Sequence, residues 1–178
     1  MQTEKATFGA GCFWGVEETF RNVKGILSTS VGYAGGTQQS PTYQDVCTDK
    51  TGHAEVVEIQ FDPSQVGYDE LLDVFWSNHN PTTLNRQGPD VGTQYRSAIF
   101  FANDEQKKIA EAYIKQLDEA KVFEGKIATQ VAPLDRFYEA EGYHQNYLVN
   151  HPNEPYIVYN DMPKLANLRK MLPELCKE

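Results

Sequence analysis

Cys12 is the residue of this 178-residue chain whose neighbours point most directly to chemistry. It stands in Gly11-Cys12-Phe13-Trp14-Gly15, where a short strand, Lys5 to Ala10, gives way to apolar residues at Phe13, Val16, Phe20 and Val23. That spacing is helical. The sulfur therefore lies at a helix start, near unpaired N–H groups and the positive end of the helix dipole, a place that favours thiolate. Gly11 and Gly15 permit a tight turn and close approach of another molecule, and Phe13 and Trp14 set aromatic surface beside the sulfur. A lone cysteine is as often a small buried hydrophobe as a nucleophile. Two glycines and two aromatics around it tilt the balance toward reactivity.

Glu55 is the natural companion acid. Ala54 to Phe61 alternates, and Glu55 shares a face with Val57, Ile59 and Phe61 because side chains two apart on a strand point the same way. A carboxyl on an apolar face is penalised when ionised, so its pKa rises toward neutrality and it can donate a proton. The blander alternative is a strand-edge glutamate reaching solvent. His53 and His144 invite a Cys–His reading. Strand alternation puts His53 on the face of Glu55 without requiring contact, and His144 suits a helix residue bonded to a neighbouring loop. No Cys-x-x-Cys pair and no histidine pair at ligand spacing occurs, so neither a metal nor another cofactor is expected.

The elements that must hold these groups are legible in outline. Gly25 stops the first helix, and Ile26 to Gly32 alternates as a strand. A long polar loop, Ala34 to Gly52, follows, of a length that is more often functional than idle. After the strand ending at Phe61, Tyr68 to Trp76 reads as a helix closed by Asn80-Pro81, and a second polar loop runs from Thr82 to Gln94. Arg96 to Ala102 reads as a strand, Asn103 as the N-cap of a charged helix to about Phe123, and Ala128 to Ala132 as a further strand. Strand, helix, strand, strand, helix, strand is the ferredoxin-like, split-βαβ pattern, so the expected fold is α+β, helices on a mainly antiparallel sheet. Beyond Pro133 the expectation is one helix, Arg136 to Leu148, then proline-punctuated extended chain and a terminal helix around Leu165 to Met171. This long C-terminal tail would wrap the body.

Composition narrows the classes. The length suits a single domain, 1–178, with a core of about 1–150 and a tail of about 151–178. Sixteen Lys and Arg against 25 Asp and Glu give a net charge of −9 with no basic stripe, which argues against nucleic acid. No apolar run approaches the roughly 20 residues that span a bilayer, and MQTEKATFGAG lacks the apolar region of a secretory signal. The expectation is a cytoplasmic, monomeric protein without membrane contact. Three scattered cysteines, Cys12, Cys47 and Cys176, do not form a disulfide framework.

The run Gly11-Cys12-Phe13-Trp14-Gly15 resembles the signature of the peptide methionine sulfoxide reductase A family. The resemblance continues through Gly32-Tyr33-Ala34-Gly35-Gly36, Pro41-Thr42-Tyr43, Val46-Cys47, Thr51-Gly52-His53-Ala54-Glu55, Asp90 to Ser97 and Tyr143-His144-Gln145, in the family's order to about residue 150. It implies an enzyme that returns the S-epimer of methionine sulfoxide, free or in proteins, to methionine. In that family pattern Cys12 attacks sulfur and Glu55 donates the proton. Tyr43 and Tyr95 hydrogen-bond the sulfoxide oxygen, Phe13 and Trp14 enclose the substrate methyl, and Asp90 orients its loop or binds substrate backbone.

Oxygen transfer to Cys12 leaves a sulfenic acid, which condenses with a second thiol to give a disulfide. The resemblance implies a C-terminal resolving cysteine and thioredoxin as reductant. Here the tail segment Pro155 to Pro163 lacks the glycine-flanked cysteine of that pattern. Cys176 is preferred over Cys47 as the resolving thiol, with direct attack by an external thiol left open. The competing functions are a thiol peroxidase, a non-catalytic binder of oxidised methionine, and a Cys–His hydrolase.

Overall fold

The structure is a computed structural model that describes residues 2–177. The chain opens with β1 (Glu4–Ala10), α1 (Phe13–Arg21), β2 (Ile26–Ala34), α2 (Tyr43–Cys47), β3 (Ala54–Phe61) and α3 (Tyr68–Ser77). Then come a short ribbon of β4 (Arg86–Gln87) and β5 (Asp90–Val91), a 3-10 turn Thr93–Tyr95, β6 (Ser97–Phe101) and α4 (Asp104–Glu119). β7 (Gln130–Pro133), β8 (Phe137–Glu139), α5 (Tyr147–Asn150) and α6 (Met162–Met171) complete it.

One six-stranded sheet, in the order β7-β6-β1-β3-β2-β8, organises the molecule. The class is α+β, and the sheet is mixed: β7 runs parallel to β6, whereas β6, β1, β3, β2 and β8 pair antiparallel in turn. The parallel pair exists because α4 carries the chain back across the sheet between β6 and β7, a crossover that antiparallel hairpins do not need. One face is covered by α1 and α3. Phe8 of the central strand packs there with Phe20 at 5.3 Å and Phe75 at 5.2 Å between ring centroids. Ala34, Ala54, Val56, Ala98 and Phe100 form a smaller cluster on the opposite face, against Ala132, Leu134 and Phe137.

Local chemistry explains most ends. Thr42 caps α2 by accepting from the Asp45 N–H at 3.1 Å while Asp45 accepts from the Thr42 N–H at 3.0 Å, a reciprocal box that nucleates a five-residue helix. Asn103 caps α4 through the Gln106 N–H at 2.9 Å.

The tail departs from its expected outline. Instead of a helix over Arg136–Leu148, Phe137 and Tyr138 form an edge strand with Ala34 and Tyr33, and only a 3-10 turn, Gly142–His144, and the short α5 are helical. Aromatic residues beside an unpaired edge gain more from the ladder than from an isolated turn. Instead of extended chain, Ile157–Asp161 forms a widened π-type turn running directly into α6. Pro163 supplies the reason, since its ring and missing N–H are incompatible with regular bonding to the preceding turn. The end of the chain is docked: Cys176 bridges to Val23, and the Lys24 N–H donates to the Leu175 carbonyl at 2.7 Å.

Candidate active site

The antiparallel register of β1 and β3 creates the site. Phe8 stands opposite Val57, so two residues further along both strands the end of β1 meets Glu55 at the start of β3. The chain then turns at Gly11, whose φ of +94° and lack of a side chain are both required, because a Cβ there would fall 2.8 Å from Gln87 Cγ. Cys12 follows as the N-cap of α1 and is 7% exposed.

Glu55 is 1% exposed. Its Oε1 accepts the Phe13 backbone N–H at 3.2 Å, one residue from the sulfur, while Oε2 is buried with no partner. Burial pushes its pKa up to about 8, against a smaller downward pull from the Phe13 N–H. At neutral pH it is thus a carboxylic acid with a free O–H. The expectation for Cys12 needs correction. Burial pushes its thiol well above the usual range, and the Glu55 and Asp161 carboxylates add to that, against weaker help from the Trp14 N–H and the Lys164 ammonium. One helix terminus does not offset full desolvation of a sulfur anion.

The aromatic residues group as a wall. Phe13 is buried and lies 5.8 Å from Tyr33 and 5.2 Å from His144. Trp14 donates its indole N–H to His144 Nδ1 at 2.9 Å and stacks on Tyr147 at 3.8 Å. His144 is therefore a fixed neutral support for Trp14, with Tyr43 4.4 Å away. Glu141 places Tyr43 by accepting its backbone N–H at 2.9 Å and the Tyr33 hydroxyl at 3.0 Å. Tyr43 and Tyr95 are half-buried, and both phenols are held neutral by burial, with the Glu55 charge as the next cause. Asp90 accepts the Tyr156 hydroxyl and lines, with Cys12, Gln87, Tyr156, Tyr159 and Lys164, a cavity of about 150 Å³. A larger hollow of about 570 Å³ contains His79 and Asn167 but not Cys12, whereas the smaller one is lined by Cys12, with Glu55 outside its lining.

His53 bonds at both ring nitrogens, to the Gly36 N–H at 3.1 Å and the Gln38 carbonyl at 2.7 Å. It holds the loop between β2 and β3 closed. The remaining cysteines part company. Cys47 ends α2 on the exposed rim, where partial burial pushes its thiol up against a downward pull from the Tyr43 hydroxyl. Cys176 is buried against Val23 at the other end of α1, roughly 14 Å of helix from Cys12 at ~1.5 Å per residue, with its Sγ on the Leu172 carbonyl at 3.4 Å. Tyr147, Tyr156, Glu141 and Asp161 escaped the sequence reading. Each lies in the segment whose structure departed from expectation, and only the Tyr-His-Gln run hinted at it.

Comparisons with known proteins show the family. The family described as peptide methionine sulfoxide reductase matches residues 4–175. A peptide methionine sulfoxide reductase MsrA of Methanothermobacter thermautotrophicus is 62% identical over 149 residues, covering 84% of this chain and 88% of its own. An MsrA 2 of Mesorhizobium japonicum is 53% identical over 99% of this chain and 91% of its own. Mxr1 of Saccharomyces cerevisiae in reduced form superposes with a TM-score of 0.79 at 37% identity, covering 86% and 88% of the two chains. The same yeast protein in complex with Trx2 gives 0.56 at 27% identity, covering 82% and 85%.

Proposed function

The chain belongs to the peptide methionine sulfoxide reductase family, and from that premise we propose that Cys12, Glu55, Tyr43 and Tyr95 carry its reaction in distinct roles. It is a thiol-dependent oxidoreductase that returns methionine sulfoxide to methionine. The observation that carries the role assignment is Glu55: one oxygen is pinned by the N–H next to Cys12 and the other is buried and unpartnered.

The sulfoxide enters with its methyl against Phe13 and Trp14 and its oxygen toward the Tyr43 and Tyr95 phenols, which donate to the negative oxygen. Cys12 Sγ attacks the sulfoxide sulfur while Glu55 Oε2 gives its proton to the oxygen, since an unprotonated oxide is a very poor leaving group. The sulfur–oxygen bond of the substrate breaks, its sulfur gains two electrons, and Cys12 loses two. The oxygen leaves as water, carrying the thiol proton and the Glu55 proton. A water then attacks Cys12 Sγ, breaks the new sulfur–sulfur bond, releases methionine and leaves Cys12 as a sulfenic acid, and the proton this water gives up restores Glu55. Asp90, held by Tyr156, binds substrate backbone.

Cys47, already on the rim, then condenses with the sulfenic acid, releasing water and leaving a Cys12–Cys47 disulfide. Cys176 takes this role only if the tail leaves its seat on Val23. Thioredoxin reduces the disulfide and is itself oxidised, a reading supported by the Trx2 complex of the yeast relative. The substrates are free methionine sulfoxide and oxidised proteins, acted on by a monomer in the cytoplasm, a reducing compartment in keeping with three free thiols. No helix among the described residues is long and apolar enough to cross a membrane. The central order β6-β1-β3-β2 with helical crossovers supports a split-βαβ scaffold to which β7 and β8 are edge additions.

The test offers each sulfoxide epimer separately with dithiothreitol, then with thioredoxin and its reductase. Consumption of the S-epimer alone, lost in Cys12→Ser with binding kept, is expected. Turnover by Cys12→Ser, or reduction of peroxide in place of sulfoxide, overturns the assignment.

A further inference from the structure

Asp161 has no part in the reaction just described, yet it is, like Glu55, a fully enclosed carboxyl near the sulfur. It is 0% exposed, and neither oxygen has a hydrogen-bond partner among the described residues. It sits on the widened turn Ile157–Asp161 and presses on the first turn of α1. A Cβ on Gly15, three residues after Cys12, would fall 2.3 Å from Asp161 Oδ1. Its counter-charge is Lys164, whose Nζ lies 3.8 Å from Oδ1 and whose side chain lines the same cavity as Cys12. A carboxyl serving structure alone would be expected to find hydrogen-bond donors, because an under-satisfied buried charge costs stability. A widened turn of this kind recurs at functional sites.

We infer that Asp161 and Lys164 are positioning residues that set the charge of Cys12: the carboxylate holds the sulfur as thiol, and the ammonium draws it toward thiolate. The inference rests on Cys12 as nucleophile and adds that the tail tunes it. The charged and titratable groups around Cys12 and the pair are Glu55 from β3, His79 just after α3, Asp90 from β5, Tyr95 from the 3-10 turn, Tyr147 from α5, Glu154 and Tyr156 ahead of the widened turn, and Tyr159 on it. Among them Lys164 is the cation acting on Cys12. Burial pushes Asp161 up to about 6, Lys164 pulling down and Asp90 and Glu154 pushing up. At neutral pH the carboxylate is therefore mostly charged and repels a thiolate. Gly15 acquires a second use here, since any side chain would expel the carboxyl.

The experiment follows iodoacetamide modification of Cys12 against pH in the full chain, quantified on the Cys12 peptide so that Cys47 and Cys176 do not contribute. Asp161→Asn should move the midpoint down, and Lys164→Gln should move it up, each by about one pH unit, the usual scale for one neighbouring charge. Midpoints coincident with wild type, or moved in one common direction as loosened packing would do, overturn the proposal. If Asp161→Asn does not fold, Lys164→Gln decides alone, and a midpoint that does not rise overturns it. Alkylation requires no sulfoxide, so this failure is distinguishable from failure of the proposed reduction.

Discussion

Two groups that are poor reagents in water become useful by sharing one dry corner. Glu55 is an acid near neutrality because burial removes solvation from its carboxylate, and Cys12 is kept as a thiol by the same burial. Replacing Glu55 by Gln should slow single-turnover sulfoxide reduction by about 10²–10⁴-fold while leaving substrate affinity largely unchanged, as rapid-quench kinetics would measure. The alkaline limb of the wild-type rate should fall as pH rises through about 8, where Glu55 loses its proton, and this limb should vanish in the variant. Stability carries the matching sign. The folded state binds this proton more tightly than the unfolded chain, so Glu55 costs stability increasingly as pH rises from about 4.5 to about 8. Denaturant unfolding of Glu55→Gln should therefore show a relative gain that grows across that window.

At the scale of elements, α1 has a chemical end and a structural end. Cys12 caps its start, whereas Cys176 bridges to Val23 just beyond its finish. α2 brings the third thiol inward: its capping box and the Glu141 carboxylate fix Tyr43, and Cys47 stands one turn later on the same face. Cys47→Ser should thus abolish the disulfide formed after one turnover and depress thioredoxin-supported cycling, with the first sulfoxide reduced at the wild-type rate. Cys176→Ser should leave both unchanged. Peptide mapping after a single turnover and steady-state assays distinguish the two thiols, and a Cys12–Cys176 disulfide would reassign the role.

Across the whole molecule the last residues act as a clasp. Lys24 and Leu175 share a backbone bond at 2.7 Å, as do Lys177 and Asn22, and Lys177 Nζ donates to the Ile26 carbonyl at 3.0 Å. Leu175 and Cys176 are buried with the main core. Truncation after Leu172 should lower the unfolding free energy by about 0.5–3 kcal/mol, the ordinary range for losing a few buried contacts, and thermal unfolding would read it. Loss of sulfoxide reduction in a truncated protein that still melts cooperatively would show that the clasp also steadies the α1 face of the site.

Sequence by itself determined the candidates for nucleophile and acid and the elements carrying them, because each signal is local: a cysteine between glycines at a strand-to-helix junction, and a carboxyl in phase with Val57, Ile59 and Phe61. It also located the two tyrosine-bearing loops. Tertiary structure alone decided which groups surround the sulfur. The register of β1 on β3 joins residues 43 apart, and the tail returns Tyr156, Asp161 and Lys164 to the start of α1 from beyond residue 150. Such partners leave no periodicity to read. The charge of Cys12 was likewise beyond local inference, because desolvation depends on everything packed around the sulfur and here outweighs the helix terminus that was visible.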